Sequence, residues 1–250
     1  MLNRWKILKN NDIILVKGQN EVMKKFKKVM IIIILCLIFI SSYFIYNGYI
    51  MYKNALNKAS IEEKVDIIKS KDNYTKIKDI SDTYKKAVIA SEDHRFYKHG
   101  GIDIISILRA FLIDIKTFSF KEGGSTITQQ LSKNIYFTQD KKIERKIAEI
   151  FMAIDIESKY SKDEILELYL NTSYYGNGYY SIKEASLGYF NKLPSNLSDI
   201  ESVSLAGIFS APSYYNPKYD INNKRKKMVI SKMVKYGYID KNKAEQLLKN

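Results

Sequence analysis

SKDEILELYLNTSYYGNGYYSIKEASLGYFNKLPSNLSDIESVSLAG, residues 161–207, decides the fold class. Ser161 with Glu164, Ser181 with Glu184 and Ser198 with Glu201 each have the S-x-x-E spacing of a capping box. In that motif the serine oxygen accepts the third amide of the helix and the glutamate reaches back to the cap amide. Each pair precedes an apolar run, so several helix starts fall within about forty residues. Helices this short are stable only when packed on one another, and the stretch therefore predicts an array of short packed helices. Elsewhere, alternating apolar runs bounded by turn pairs are scarce, there are only 3 prolines, and no internal repeat is visible. A mostly α domain is expected, here written all-α.

Outward from this stretch, charge and hydropathy divide the chain. Its 250 residues carry 41 Lys and Arg against 27 Asp and Glu, a formal net charge of +14. That balance points to an anionic partner such as nucleic acid, phospholipid or a phosphorylated substrate. With 46% hydrophobic residues the chain can bury a sizeable core, which excludes a disordered tail or a small stapled scaffold. A single cysteine, Cys36, excludes an intrachain disulfide, and His94 and His99 are too few for a multi-ligand His/Cys metal site. Any metal would have to sit on carboxylates.

Residues 1–28 hold eight basic side chains against Asp12 and Glu21, and residues 29–50 hold no charge at all. Twenty-two residues at 1.5 Å rise reach about 33 Å, enough for a hydrocarbon core of about 30 Å. The Val, Ile, Leu and Phe residues between 29 and 45 favour insertion by about 4 to 7 kcal/mol, before the cost of the serines and tyrosines. A cleaved signal peptide is the competing reading, because 29–40 has the length of a signal apolar region. The long basic leader, apolar character continuing through Phe44 and Ile45, and no alanine before Ala55 favour an uncleaved anchor. The expected organisation is a basic cytoplasmic leader (1–28), a single transmembrane helix (29–50), a membrane-proximal stalk (51–80) with weak periodicity at Ile61, Val65 and Ile68, and a domain (81–250) outside the cell membrane.

Three clusters carry chemistry. AVIASEDHRFYKHGGID (87–103) runs an apolar helix into Glu92 and Asp93, among His94, Arg95 and His99. A carboxylate there can be partly desolvated and raised toward the range of a general base, or it can belong to a solvated loop with incidental ion pairs. KEGGSTITQQLSKN (121–134) sets two glycines before hydroxyl and amide side chains at a helix start, a place for an anion or sugar hydroxyls, or an ordinary cap by Ser125 or Thr126. It does not match a Walker loop. TQDKKIERKIAEIFMAIDIE (138–157) spaces Ile143, Ile147, Ile150, Phe151 and Ile154 as one buried stripe. Its polar face pairs like charges, Lys141 with Arg145 and Lys142 with Lys146, and sets Glu149 after Arg145, the less favourable order. A docked polyanion explains that face better than helix stability does; a solvated charged face is the plain alternative.

Together the clusters resemble the peptidoglycan glycosyltransferases of family 51, which polymerise lipid II and also form the transglycosylase half of bifunctional penicillin-binding proteins. The matching stretches are EDHRFYKHGG (92–101), GGSTITQQLSKN (123–134), RKIAE (145–149), KDEILELYLN (162–171), GNGYYSIKEASLGYF (176–190) and APSYYNP (211–217). The resemblance covers about residues 80–245 and implies a lysozyme-like, two-lobed domain that performs inverting glycosyl transfer at the outer membrane surface. It implies Glu92 as the base that deprotonates the acceptor 4-hydroxyl. It gives Glu149 as a second essential glutamate that assists the donor pyrophosphate or positions a cation. Lys133, Lys141, Arg145 and Lys146 would hold pyrophosphate, where negative charge builds up on the leaving group. Asp93, Arg95, Phe96, His99, Gly123, Gly124, Ser125, Thr126, Gln129, Gln130 and Asn134 complete the substrate-binding set. No cofactor is required; Mg²⁺ or Mn²⁺ beside Glu149 is compatible with the family. Expected partners are lipid II, the lipid-linked nascent glycan, the bilayer and other cell wall synthases, with no nucleic acid on that side of the membrane.

Departures from the pattern are Gly100 in place of a frequent second histidine, Lys141 for arginine, Ser91 for threonine, and Glu144 before the RK pair. Lys141 keeps the charge and loses the bidentate fork. With no S-x-x-K and no K-T-G, the acyl-serine transpeptidase signature is missing and a monofunctional transglycosylase is expected. Phe111, Phe118 and Phe120 lie in an apolar stretch able to dip into the interface, or to form ordinary core. A lytic glycan-cleaving enzyme of similar fold, or a catalytically dead membrane-anchored scaffold, are the alternative functions.

Overall fold

The computed structural model describes the backbone of residues 2–109, 124–209, 215 and 223–249, and side chains within them from residue 23 onward apart from that of Asn223. Phe111, Phe118, Phe120, Gly123 and all of APSYYNP but Tyr215 lie outside the described residues. The described chain contains helices and turns and no strand. The described helices include α1 (Leu2–Lys58), α2 (Ile61–Lys69), α3 (Asp82–Glu92), α4 (Ile127–Tyr136), α5 (Ile143–Lys159), α6 (Lys162–Leu170), α7 (Ile182–Phe190), α8 (Asp199–Ala206), α9 (Asn223–Lys235) and α10 (Lys241–Lys249). Residues 104–109 are also helical.

The capping signals of 161–207 act as their chemistry requires. Ser161 and Ser198 form complete boxes with Glu164 and Glu201, and Ser60 with Glu63 forms another that opens α2. Ser181 accepts the Glu184 amide, while the Glu184 carboxylate reaches one residue further back to Tyr180 N–H (2.7 Å) and takes Asn73 Nδ2 (2.6 Å). That glutamate ties α7 to the loop after α2 instead of closing its own cap.

α1 is one unbroken helix of 57 residues. Its large apolar side chains between 29 and 40 are all exposed, and it is the one described helix long and apolar enough to cross a membrane. The same helix then continues onto the domain. At Gly48 it meets α5 so closely that an added Cβ would lie 2.6 Å from Ile147 Cβ and 3.0 Å from the Glu144 carbonyl oxygen. Within about the next turn, Tyr49 and Tyr52 pack on Phe151 at ring-centroid distances of 5.4 and 5.7 Å, and the Tyr52 hydroxyl donates to Asp155. Gly48→Leu is therefore expected to pry the two helices apart at a cost of about 1–3 kcal/mol. Thermal unfolding of the detergent-solubilised chain measures it; an unchanged midpoint would mean that the close contact contributes nothing.

This contact also accounts for a correction to the expected apolar stripe on α5. Ile143 and Ile154 are exposed, and the core-facing residues are Ala148, Glu149, Met152, Ala153 and Ile156. Ile147 and Phe151 are only half-buried and face α1. The helix is covered on two sides, so its most apolar face did not have to be its most buried one. A second correction concerns 51–80. Ile61, Val65, Ile68 and Ile80 belong to the main core and Thr75 N–H donates to Asn171 Oδ1 (2.8 Å), so this segment is built into the domain and does not form a separate stalk.

Within the domain α3, α8 and α9 pack together, as do α4, α5 and α6, and one continuous core joins the two sets. Tyr84, Phe96, Leu131, Met152, Leu166, Tyr169 and Tyr175 are among its bulkiest fully buried members. Burial of such side chains is worth about 1.5–3 kcal/mol each before entropy, which is how a chain without disulfides holds together. The two sets meet along a cleft.

Candidate active site

Glu92 is the last residue of α3, and the chain turns away immediately after it at Asp93. This puts the carboxyl at the mouth of an apolar helix, where it lines a cleft of about 520 Å³ between the two helix sets. Burial raises its pKa above the ordinary carboxylate value, against the opposing pull of a hydrogen bond from Gln130 and of Lys232 and Arg225. Gln130 Nε2 donates to Glu92 Oε2 (3.2 Å), and Gln130 Oε1 accepts from the buried Tyr169 hydroxyl (3.0 Å). The tyrosine thereby fixes which end of the amide faces the carboxylate, leaving Glu92 oriented and poised to take a proton.

The second glutamate, Glu149 on α5, lies outside the lining of this cleft and is linked to it through Lys146 and Ser125. Glu149 is buried, and Arg145 Nη1 donates to its Oε1 while Lys146 Nζ donates to Oε2 at 3.1 Å. Arg145 and Glu149 pair despite their unfavourable order, because the partners meet away from bulk water. Lys146 Nζ also donates to Ser125 Oγ (2.7 Å). Desolvation, and then the neighbouring Arg145 and Lys133, lower the Lys146 pKa, with Glu149 opposing. Both Glu149 oxygens are thus taken by cations, and a divalent ion there would have to displace both. The donor set does not fit a metal in this arrangement.

Several predicted ligand contacts turn inward. Asp93 Oδ1 binds His99 Nε2 (2.8 Å) and Oδ2 accepts the Ile127 amide (3.1 Å), so Asp93 caps the start of α4. His99 Nδ1 faces the Gly100 carbonyl oxygen at 2.6 Å. Thr126 Oγ1 and Gln129 Nε2 both donate to the Gly101 carbonyl oxygen at 3.0 Å. Gly101 itself lies against the Ala153 backbone, where a Cβ would fall at 2.8 Å, so glycine is required by close approach. Arg95 Nε donates to the buried Asp103 (3.0 Å), which also accepts from Ser106. Phe96 is fully buried with Lys162 Nζ 4.4 Å from its ring centre. These six side chains build the frame of the loop 93–103 and do not line the cleft. Ser125, Gln130 and Lys133 do line it; Gly124 and Asn134 are half-buried outside its lining, and Lys141 is exposed in the turn before α5.

The frame predicts a pH dependence. Burial lowers the His99 pKa, but the Asp93 hydrogen bond and charge outweigh it and the net shift is upward. A histidine raised in the folded state stabilises fully below its unfolded pKa of about 6.5 and loses that contribution as pH rises through the folded value. His99→Gln should therefore cost more in melting temperature at pH 6 than at pH 9, as thermal scans at both would measure. An equal cost at both would leave the imidazolium without a role.

The sequence reading missed the other side of the cleft. Arg225, Met228, Val229, Lys232 and Tyr236 line it from α9 and the residue just beyond, spaced i, i+3, i+4, i+7 and i+11. That helical periodicity in a basic segment is a signal the sequence does carry. Lys232 Nζ donates to the Ser91 carbonyl oxygen (2.7 Å), tying α9 to α3 beside Glu92. His94 stacks on Tyr236 at 3.8 Å and 19°, and Arg109 Nη1 lies 3.2 Å from His94 Nε2. Burial and then Arg109 hold the His94 pKa below its ordinary value. Arg109, Lys133, Arg225 and Lys232 make the cleft strongly cationic around one desolvated carboxyl.

A helical domain with a desolvated glutamate among cationic side chains in a cleft is the architecture of a lysozyme-like transglycosylase. A family model described as Transglycosylase matches residues 59–234, and the chain belongs to that family. It is 43% identical over 174 residues to penicillin-binding protein 2a of Streptococcus pneumoniae, a match covering 69% of this chain and 23% of that protein. Penicillin-binding protein 2D of Bacillus subtilis is 45% identical over 175 residues, 69% of this chain and 25% of that one. Penicillin-binding protein 1A of Escherichia coli is 42% identical over 163 residues, 64% and 19% respectively. The matches span a quarter or less of the length of these relatives. The family match begins at residue 59, consistent with α2 being part of the domain.

Proposed function

We propose that this protein is a membrane-anchored peptidoglycan glycosyltransferase that polymerises lipid II into β-1,4-linked glycan. Glu92 takes the proton from the 4-hydroxyl of the acceptor sugar. The freed oxygen attacks C1 of the donor MurNAc from the face opposite the pyrophosphate, the C1–oxygen bond to pyrophosphate breaks, and undecaprenyl pyrophosphate leaves with the bond's electrons. The configuration at C1 inverts. Lys133, with Lys146 and Arg145 on the Glu149 carboxylate, offers cationic donors for the charge that develops on the leaving group. Basic leader and apolar run together orient α1 with its N-terminus in the cytoplasm and the domain on the outer face. The observation that carries this reading is a single desolvated carboxyl held by Gln130 and facing a cationic wall. A lytic enzyme of related fold would need the acid but not the wall.

Labelled lipid II incubated with the detergent-solubilised chain tests it on a gel. Long glycan ladders support the proposal; shortening of preformed glycan would support the lytic enzyme, and no product from verified folded protein would support the scaffold.

A further inference from the structure

A second cavity, of about 640 Å³, lies between α1 and the starts of α2 and α5, and shares no lining residue with the catalytic cleft. One wall is a single face of α1: Tyr43, Asn47, Ile50, Met51, Asn54, Ala55 and Lys58 recur every three to four residues. The opposite wall is Lys64, Tyr136, Phe137, Lys142 and Glu144. The groove is thus graded along α1, apolar and aromatic where the helix leaves its uncharged run and cationic at the far end. From Ile50 to Lys58 the rise is about 12 Å, which a headgroup layer plus a snorkelling lysine can span. Lys64 Nζ lies 5.9 Å from the Tyr136 ring centre, while Lys58, Lys142 and Glu144 form no side-chain ion pair among the described residues. Three lysines against one glutamate leave the far end positive.

The unusual polar face of α5 is thereby divided. Lys146 turns to Glu149 and to Ser125, which lines the catalytic cleft, whereas Lys142, one turn earlier, faces this groove with Glu144.

We infer that this groove is a binding site for an anionic glycerophospholipid, such as phosphatidylglycerol, with its phosphate between Lys58, Lys64 and Lys142 and an acyl chain along Ile50, Met51 and Tyr43 of α1. It rests on α1 lying in the bilayer, as proposed above. A bound lipid would fill the wedge between anchor and domain next to the Gly48 contact and set the height of α5 above the membrane. A neutral lipid lacks the charge the lysines call for, and a polyprenyl pyrophosphate bound for the reaction belongs in the other cleft.

The test uses the full chain in phosphatidylcholine vesicles doped with photoactivatable phosphatidylglycerol or, in parallel, photoactivatable phosphatidylcholine, with adducts mapped by peptide mass spectrometry. Flotation with the vesicles reports anchoring separately: a chain that does not float fails the anchor reading and refutes this site with it. The expected result is adducts on peptides containing 43–58 and 136–142, favouring phosphatidylglycerol, with the preference falling about fivefold for each lysine changed to glutamine. Glu144→Gln should raise it by a similar factor, which a variant that merely loosens the fold would not do. Equal yields from the two lipids, or a preference unmoved in floating, helical Lys58→Gln/Lys64→Gln/Lys142→Gln protein, would overturn the inference. So would displacement of the adducts by equimolar undecaprenyl phosphate, which would assign the groove to the substrate lipid.

Discussion

Glu92→Gln is expected to reduce glycan polymerisation from lipid II by about 10²- to 10⁴-fold, the range supplied by a positioned general base. The substitution keeps the volume and keeps an oxygen to accept from Gln130, so the loss belongs to the proton acceptor and not to a collapsed cleft. Its effect on stability should have the opposite sign. A carboxyl whose folded pKa is raised is penalised once the pH exceeds its unfolded value of about 4.3, and the penalty is fully present above the folded value. At neutral pH the glutamine variant should therefore melt at or above the wild type, with the difference shrinking as pH falls toward 4. Quantified glycan ladders and thermal scans across pH measure both. Retained polymerisation would remove Glu92 from the mechanism, and a variant destabilised at pH 7 would contradict the desolvation argument.

Glu149→Ala is expected to be more damaging to the fold. It leaves Arg145, whose side chain is 15% exposed, without its carboxylate in a largely dry setting, and such a break costs about 3–5 kcal/mol. Lys146 contributes less to that figure, because at 39% side-chain exposure water screens much of its pairing. Polymerisation should fall by about 10²-fold or more, since Arg145 and Lys146 lose the group that aims them. The double variant Arg145→Leu/Glu149→Leu separates the two effects. It should recover much of the stability lost in Glu149→Leu alone, because the poorly exposed guanidinium is no longer left unpaired and the remaining Lys146 is more open to water, and recover none of the activity. Additive losses in melting temperature would mean that the pair is not coupled.

How much of this was legible depended on whether the signal was local. Ser161/Glu164 and Ser198/Glu201 bind partners three residues away, so their spacing was sufficient to place helix starts. The uncharged run of α1 was equally plain, since insertion depends on composition alone. The same run did not reveal that α1 continues for eight residues past residue 50 and packs on α5 through Gly48, because a close approach between helices is a property of both. The segment 51–80 looked like a stalk because its charges mask five core residues, Tyr52, Ile61, Val65, Ile68 and Ile80, whose partners lie far along the chain.

The candidate site divides in the same way. Its motifs were legible as residue types at particular spacings, and Glu92, Gln130, Ser125 and Lys133 do share one cleft. Asp93, His99, Thr126 and Gln129 carry equally reactive side chains, yet they are occupied with one another and with the Gly101 carbonyl. Only the path of the loop 93–103 decides between those outcomes. Arg225 and Lys232 reach Glu92 from the far end of the chain, a proximity that no local pattern encodes.

The sequence alone determined the helical class, the apolar anchor, the cationic excess and the family resemblance, because periodicity, capping, hydropathy and motif spacing act between near neighbours. The tertiary structure decided which carboxyl is desolvated, which glutamate is held by two cations, and that Lys142 faces the groove beside α1 while Lys146 turns to Ser125 and Glu149. Desolvation and charge pairing depend on what surrounds a group in three dimensions, and the surrounding residues here come from α1, α3, α4, α5 and α9 together.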